Sequence, residues 1–241
     1  MRSASELCRW LHEQIEPLPF FSFPFDVKLF PLNGIYFFYE RGETWGHGGS
    51  KPRIVRVGTA RDGNFRPRIA EHYLLNETRM NFGPNQPAAH ERSIFRKNLG
   101  MALLNRVRDP YLSIWKVDLT SRRARDELAS RRDIVKEKSI EAEVTRRLRA
   151  DFSFRCVTIE GQESRMGSKG LESALIGTLA HCSLCEPSET WLGKFSPKRE
   201  IQESGLWLVQ HLKAPEMTSE DQSRLSQAVL ETLRSLASTR Q

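Results

Sequence analysis

The stretch GIYFFYE at residues 34–40, followed by RIVRVGT at residues 53–59, decides the fold of this chain. Both segments are rich in β-branched and aromatic residues, which favours β-strands. The segment between them, residues 41–51, contains four glycines and has no apolar periodicity, which is typical of a turn. We therefore predict that the two strands form an antiparallel pair.

A short helix is predicted directly after the second strand. Asn64 is a suitable N-cap residue for it. At 3.6 residues per turn, Phe65 and Ile69 form an apolar stripe, and Arg68 and His72 lie side by side along its edge. An arginine can bind a phosphate, and a neighbouring histidine can carry a proton. The alternative is that Arg68 is a surface charge and His72 a hydrogen-bonded core histidine.

The chain resembles the motif series of the GIY-YIG nuclease superfamily in the order and spacing of four features. These are residues 34–36 (Gly-Ile-Tyr), residues 56–58 (Arg-Val-Gly), Arg68 and His72. The first motif matches to the letter. The second motif has Arg-Val where the family name has Tyr-Ile, so a tyrosine of that site is missing. The Arg-Val-Gly form is similar to one branch of the superfamily.

The predicted fold is α/β (α+β) and GIY-YIG-like, with a small three-stranded sheet of mixed or antiparallel pairing flanked by helices. Its third strand is predicted at residues 152–159. We expect an N-terminal helix and an aromatic, proline-rich extension over residues 1–30. A nuclease-like domain with helical insertions is expected over residues 31–212, and a C-terminal helix over residues 213–241. Core packing is the expected role of the aromatic residues before the first strand, with base stacking as the alternative.

Glu172 projects from the apolar stripe of a helix that is predicted to begin near Leu171. A carboxylate directed at a core is costly unless it is paired or bound to a metal. A structural salt bridge to an arginine is one explanation. The resemblance implies the other, because the superfamily carries a glutamate on the helix after the third strand. Glu172 would then bind one Mg²⁺ or Mn²⁺ ion, which prefers oxygen ligands.

The chain of 241 residues carries 37 Lys and Arg against 30 Asp and Glu, a net charge of +7. Such an excess suits a polyanion such as double-stranded DNA, although solubility alone also explains it. We expect Arg66, Arg92, Arg96 and Lys97 to contact backbone phosphates; a solvated basic helix face is the alternative.

Arg56 is expected on the same sheet face as Ile54 and Gly58, where it would replace the missing tyrosine as a phosphate ligand. The resemblance also implies an asparagine after Trp207, but Leu208 occupies that position. Both departures favour a catalytically silent nucleic-acid-binding module as the alternative to an enzyme.

The resemblance implies a metal-dependent endonuclease that hydrolyses DNA phosphodiester bonds. Tyr36 would accept the proton of the attacking water, directly or through a neighbour. Arg68 would hold the scissile phosphate, and His72 would orient Tyr36 or transfer the proton. A structural or protein-interaction domain without a nucleic-acid role is a third possibility, which the basic charge disfavours.

Cys182 and Cys185 form a Cys-x-x-Cys pair, but no second such pair or histidine pair completes a zinc site in the sequence. Cys8 and Cys156 lie in apolar stretches and are expected to be small core residues, so all four cysteines are predicted to be free thiols. No apolar window reaches the ~18 residues of a membrane span, and no signal peptide is evident, so a cytoplasmic location is expected. The C-terminal helix is suited to packing or to a homodimer.

Overall fold

The computed structural model describes residues 3–75 and 82–238. Its centre is an antiparallel sheet of four strands in the order β1-β4-β2-β3, and the strands are β1 (Phe21–Ser22), β2 (Gly34–Thr44), β3 (Pro52–Thr59) and β4 (Phe152–Thr158). The three predicted strands are β2, β3 and β4. The prediction missed β1, because two residues are too few to show a periodic pattern.

Ten α-helices surround the sheet in the described residues. They are α1 (Ala4–Ile15), α2 (Phe65–Tyr73), α3 (Ile94–Arg106), α4 (Leu112–Trp115), α5 (Arg122–Leu128), α6 (Ile134–Asp151), α7 (Gln162–Arg165), α8 (Leu171–Ala180), α9 (Arg199–Ser204) and α10 (Ser219–Ser238). Within residues 3–75 and 82–238, none of the helices combines the length and apolar character needed to cross a bilayer.

The sheet separates two hydrophobic cores. On one face, which we call the α8 face, Ile35 and Phe37 pack among apolar side chains of α1, α8 and α10. On the other, the α2 face, Tyr36 and Phe38 pack among side chains of α2, α3 and α6. Alternation along β2 explains this division, since successive side chains of a strand leave the sheet on opposite sides. The aromatic segment before β2 covers the α2 face, where Phe25 packs edge-on against Phe154 and Tyr73.

A β-bulge in β3 interrupts this alternation. Phe38 is paired with Arg56, whereas the next residue, Tyr39, is paired with Ile54, so Val55 is an extra residue on β3. Ile54 therefore joins the core of the α8 face, and Val55 joins the core of the α2 face. The expectation that Ile54 and Arg56 share a face was wrong, because it assumed an unbroken two-residue period.

A buried ionic network joins α3 to α6. The Glu141 carboxylate accepts hydrogen bonds from Arg96 Nη2 at 2.6 Å and from the His90 backbone N–H at 2.8 Å. Lys97 donates to Glu91 at 2.9 Å and is 7% exposed, while Arg96 is fully buried. The prediction that Arg96 and Lys97 contact DNA phosphates was wrong, because both side chains turn into the protein and are already neutralised there.

We expect Glu141→Gln to lower the free energy of unfolding by about 3–5 kcal/mol, because Arg96 would be left buried without its counter-charge. Urea denaturation measures the difference. The matched control is Glu143→Gln on the same helix, whose carboxylate is 37% exposed and paired with Arg146 and Arg147. That change should cost about 1 kcal/mol or less. Equal losses in both variants would contradict a structural role for the buried network.

Candidate active site

The Tyr36 side chain lies across the β2–β3 pair, directly over Gly58. The two residues are cross-strand partners. A Cβ atom added at Gly58 would lie 2.3 Å from the Tyr36 hydroxyl oxygen and 2.4 Å from the ring carbon that carries it. Only a glycine therefore leaves room for the ring in this position. The glycine of the second motif and the tyrosine of the first thus form one unit.

His72 fixes the Tyr36 hydroxyl from helix α2. Its Nε2 atom lies 3.0 Å from the Tyr36 hydroxyl oxygen, and its Nδ1 atom lies 2.7 Å from Ser93 Oγ. Ser93 is the N-cap of α3 and also accepts a hydrogen bond from the Arg96 backbone N–H. The imidazole is thus held from both sides between the sheet and α3.

The pKa of His72 is held well below its usual value. Burial is the largest cause, and the positive charges of Arg68, Arg56 and Arg96 add to it. The imidazole is therefore neutral at neutral pH, with one nitrogen that donates a hydrogen bond and one that accepts. A neutral His72 can accept the proton of the Tyr36 hydroxyl, which an imidazolium cannot do.

Arg68 lies on the more accessible side of this pair. Its side chain is 27% exposed, and its Nη1 atom donates to the backbone carbonyl of Arg92 at 2.7 Å and, more weakly, to Glu71 at 3.4 Å. Burial lowers the pKa of Arg68, but Tyr36 and Glu71 outweigh this effect and raise it. Arg68 is thus a permanent cation, oriented by the start of α3 and placed beside the Tyr36 hydroxyl.

Arg56 approaches the same hydroxyl from within the protein. It is 4% exposed, donates from Nη1 to the Trp207 carbonyl and lies 4.9 Å from the centre of the Phe95 ring. Burial lowers the pKa of Arg56, and the interaction with Tyr36 acts in the opposite direction. Arg56 is therefore a buried support of Tyr36, and not the open phosphate ligand that was expected.

Glu172, in the first turn of α8, reaches the same end of the sheet. The carboxylate is partly buried and interacts with the backbone N–H of Thr59, the last residue of β3. Burial raises the pKa of Glu172, and the charges of Arg56 and Arg68 partly oppose this. The structure therefore brings together Tyr36, Arg56, Arg68, His72 and Glu172 from β2, β3, α2 and α8.

The GIY-YIG domain family matches residues 24–235. The chain belongs to the GIY-YIG nuclease superfamily. Comparison with curated proteins and with solved structures found no match. GIY-YIG domains are generally endonucleases that hydrolyse phosphodiester bonds, and they usually use a divalent metal.

The chemistry of the Glu172 side chain suits the divalent metal that GIY-YIG nucleases usually use. Among the described residues Glu172 forms no direct salt bridge, and Arg56 and Arg68 act on it through their charges without a hydrogen bond, so the predicted structural ion pair is not formed. Its carboxylate has hard oxygen atoms, and burial raises its pKa, so a nearby cation would stabilise its charged form. Mg²⁺ is commonly bound by one or two carboxylates together with waters and substrate phosphates, so a single glutamate is sufficient on the protein side.

Two predicted DNA contacts differ in their surroundings. Arg92 is exposed, and its backbone carbonyl accepts a hydrogen bond from Arg68, so Arg92 borders the GIY-YIG site. Arg66 is half-buried, and its Nε atom donates to the Phe30 carbonyl at 2.7 Å. Contact of Arg66 and Arg92 with phosphates stays a prediction.

Sequence reasoning missed the role of Ser93. Ser93 lies 21 positions after His72, and only the packing of α3 against α2 brings its hydroxyl to the imidazole. Its position before an apolar helix was a detectable signal, because serine in that place commonly caps a helix. No sequence signal, however, indicated that the same oxygen also contacts His72.

We expect Gly58→Ala to reduce DNA nicking by about 10²-fold or more, because displacement of a reacting group by an ångström can cost that much. Initial rates on supercoiled plasmid with Mg²⁺ measure the effect, with circular dichroism to confirm that the variant folds. Gly83→Ala is the control, since its added Cβ would meet its nearest neighbour, Gln86, at 3.8 Å, an ordinary contact. Full activity of Gly58→Ala would show that the Tyr36 position is not required.

Proposed function

We propose that this chain is a metal-dependent endonuclease that hydrolyses phosphodiester bonds of double-stranded DNA. The observation that carries this proposal is the 3.0 Å contact between the Tyr36 hydroxyl and Nε2 of His72. Arg56 and Arg68 converge on the same hydroxyl, and the charges of both arginines act on Glu172. A hydroxyl with a neutral base on one side and cations on the other is suited to proton removal next to a phosphate.

Tyr36 and His72 act as a proton relay in this proposal. As water attacks phosphorus, the Tyr36 oxygen takes a proton from the water while the phenolic proton passes to Nε2 of His72. Nδ1–H of His72 then donates to Ser93 Oγ, which keeps the imidazole in place. A new phosphorus–oxygen bond forms, the bond to the leaving oxygen breaks, and the leaving oxygen takes a proton from solvent.

Substrate binding improves His72 as a proton acceptor. Two of the charges that lower the His72 pKa belong to Arg68 and Arg56. A phosphate bound by Arg68 brings negative charge that offsets part of this positive potential, so the imidazolium becomes less costly. The proton relay is therefore favoured when the substrate is in place.

Arg68 binds the scissile phosphate in this proposal because it is the accessible cation of the site and its guanidinium is planar and rigid. Arg56, fixed by the Trp207 carbonyl, stabilises the negative charge that develops on the Tyr36 oxygen. Trp207 is itself anchored, since its indole N–H donates to Glu40 at 2.9 Å. Arg56 thus compensates electrostatically for the tyrosine that this chain lacks.

Glu172 would hold one Mg²⁺ or Mn²⁺ ion. Bound there, the ion would neutralise charge on the phosphoryl group and on the leaving oxygen. The net charge of +7, together with the exposed Arg92 next to Arg68, supports nucleic acid as the partner.

The second candidate is a catalytically silent GIY-YIG module that binds nucleic acid. It is favoured by Arg56 in the second motif and by Leu208, which is 7% exposed and belongs to the core of the α8 face. Incubation of supercoiled plasmid with the protein and Mg²⁺ or Mn²⁺, against an EDTA control, separates the two. Metal-dependent nicking is expected; binding without cleavage in either metal would support the silent module.

We expect Tyr36→Phe to lower the nicking rate by about 10²–10⁴-fold, the usual loss when general base catalysis is removed. The ring and its packing remain, but Nε2 of the buried His72 loses its partner, so the free energy of unfolding should fall by about 1–3 kcal/mol. Arg68→Lys keeps the charge but not the planar guanidinium, and should also be strongly impaired. Because both residues serve one step, the double variant should be hardly slower than the slower single variant. A fully active Tyr36→Phe protein would exclude Tyr36 as the base.

We expect Glu172→Gln to abolish measurable nicking while DNA binding, measured by fluorescence anisotropy, is retained. Mg²⁺ should raise the melting temperature of the parent protein but not that of the variant, because the metal binds only the native carboxylate. Glu163→Gln, at an exposed position shortly before α8, is the control and should behave as the parent does. A Mg²⁺ response that is unchanged in Glu172→Gln would show that Glu172 is not the ligand.

A further inference from the structure

Four metal-ligating side chains meet on the α8 face of the sheet, opposite Tyr36 and His72. They are Cys8 of α1, His47 of the β2–β3 loop, and Cys182 and Cys185 of the segment after α8. Their three sulfur atoms and one imidazole nitrogen all lie within 4.8 Å of one another. Three distant parts of the chain thus supply one compact set of ligands.

The distances within this cluster match a tetrahedral zinc site. Zinc bonds of about 2.3 Å to sulfur and about 2.0–2.1 Å to nitrogen imply sulfur–sulfur separations of about 3.8 Å and sulfur–nitrogen separations of about 3.6 Å. The Sγ atoms of Cys8 and Cys185 are 3.7 Å apart. Cys182 Sγ lies 3.6 Å from Nε2 of His47.

A disulfide does not explain the arrangement. All four cysteines of the chain are free, and the 3.7 Å between Cys8 and Cys185 is far longer than the ~2.05 Å of a sulfur–sulfur bond. Ordinary core packing does not explain it either, since it gives no reason for three thiols to converge on a partly exposed imidazole.

The surrounding backbone supports the ligands as it does in metal sites. The backbone N–H of Gly46 points at Cys185 Sγ, at 3.5 Å. A Cβ atom at Gly46 would lie 1.6 Å from the Leu184 carbonyl oxygen, so only glycine allows the His47 loop to approach the Cys182–Cys185 segment so closely. Ser5 and Ser183 join α1 to the same segment through their hydroxyls, 3.2 Å apart.

The nearby His12 is not a ligand. Its Nε2 atom accepts the backbone N–H of Ile54 at 3.1 Å, so Nδ1 carries the proton and donates to the Cys8 carbonyl at 2.8 Å. His12 thereby connects the Cys8 turn of α1 to strand β3. Both of its nitrogen atoms are used, and His47 remains the imidazole that faces the thiols.

We propose that Cys8, His47, Cys182 and Cys185 bind one structural Zn²⁺ ion through three thiolates and the Nε2 atom of His47. Four protein ligands close the coordination sphere, which is typical of structural and not of catalytic zinc. Thiolate and imidazole ligands in a tetrahedral arrangement select zinc over Mg²⁺, which requires oxygen ligands. The site is therefore separate in chemistry and in position from the carboxylate of Glu172.

The sequence predicted that Cys8 is a small core residue and that no further ligand completes the Cys182–Cys185 pair. In the structure, Cys8 and His47 lie beside that pair. The completing ligands come from positions 8 and 47, far from the pair in sequence. The ion would join α1 and the β2–β3 loop to the end of α8. Because Glu172 lies in the first turn of α8, the zinc would anchor the opposite end of the helix that carries the catalytic metal ligand.

The test measures zinc in the full-length protein, purified without chelators from zinc-supplemented culture and dialysed against a Mg²⁺ buffer. Mass spectrometry of the metal content should give one zinc per chain in the parent and none in Cys182→Ser. Cys156→Ala is the matched control: Cys156 is a buried free thiol on the α2 face, and its loss should leave one zinc per chain.

Cobalt substitution provides a readout that does not depend on the folding of a serine variant. Co²⁺ in place of zinc should give the visible absorption of tetrahedral cobalt together with thiolate-to-cobalt charge-transfer bands. His47→Cys should keep one metal per chain, as a four-cysteine site, and should shift the cobalt spectrum because a nitrogen ligand is replaced by sulfur.

A parent protein that is folded by circular dichroism yet contains no zinc and gives no tetrahedral cobalt spectrum would overturn the proposal. So would a Cys182→Ser protein that retains its zinc, or a His47→Cys protein whose cobalt spectrum is unchanged. Zinc content is independent of nicking, so a protein without nuclease activity can still confirm this site, and an active nuclease can still refute it.

Discussion

The contact between the Tyr36 hydroxyl and Nε2 of His72 is the constraint on which the functional end of the molecule depends. It requires the tyrosine ring to lie flat on the sheet, which only a glycine at position 58 permits. It also requires α2 to dock so that His72 faces β2, and Ser93 at the start of α3 then fixes the other imidazole nitrogen. The two hydrogen bonds of the His72 imidazole therefore link the sheet, α2 and the start of α3.

The positive charges around this contact are arranged by depth. Arg96 is fully buried and is neutralised by Glu141, so it contributes to the attachment of α3 to α6. Arg56 is buried and interacts with the Tyr36 hydroxyl. Within the described residues, it forms no salt bridge with a carboxylate. Arg68 is the most accessible of the three. In the proposed endonuclease, a phosphate that approaches from solvent would therefore meet Arg68 first, in a potential that the deeper arginines strengthen.

The two ends of helix α8 suit different metal chemistry. Glu172 offers hard oxygen atoms at the end of the sheet that carries Tyr36, which suits Mg²⁺ or Mn²⁺. On the α8 face, the three thiols and His47 offer soft and borderline ligands in a closed set, which suits zinc. Helix α8 connects the two places, because Glu172 lies in its first turn and Cys182 follows its last turn. A zinc ion at one end of this helix would restrain the carboxylate at the other.

The sequence by itself determined the three main strands through local periodicity. The resemblance of its motifs to the GIY-YIG superfamily implied the family and the grouping of Tyr36, Arg68, His72 and Glu172. Only the tertiary structure decided which arginines remain accessible: Arg92 and Arg96 lie on the same stretch of basic sequence, yet burial against Glu141 removes Arg96 from the surface. The bulge at Val55 shifted the face of Ile54, since one extra residue reverses a two-residue period. The thiol and imidazole cluster was invisible in sequence for a related reason. Cys8 and Cys185 are 177 positions apart, and only the packing of α1 and α8 on one face of the sheet brings them within 3.7 Å.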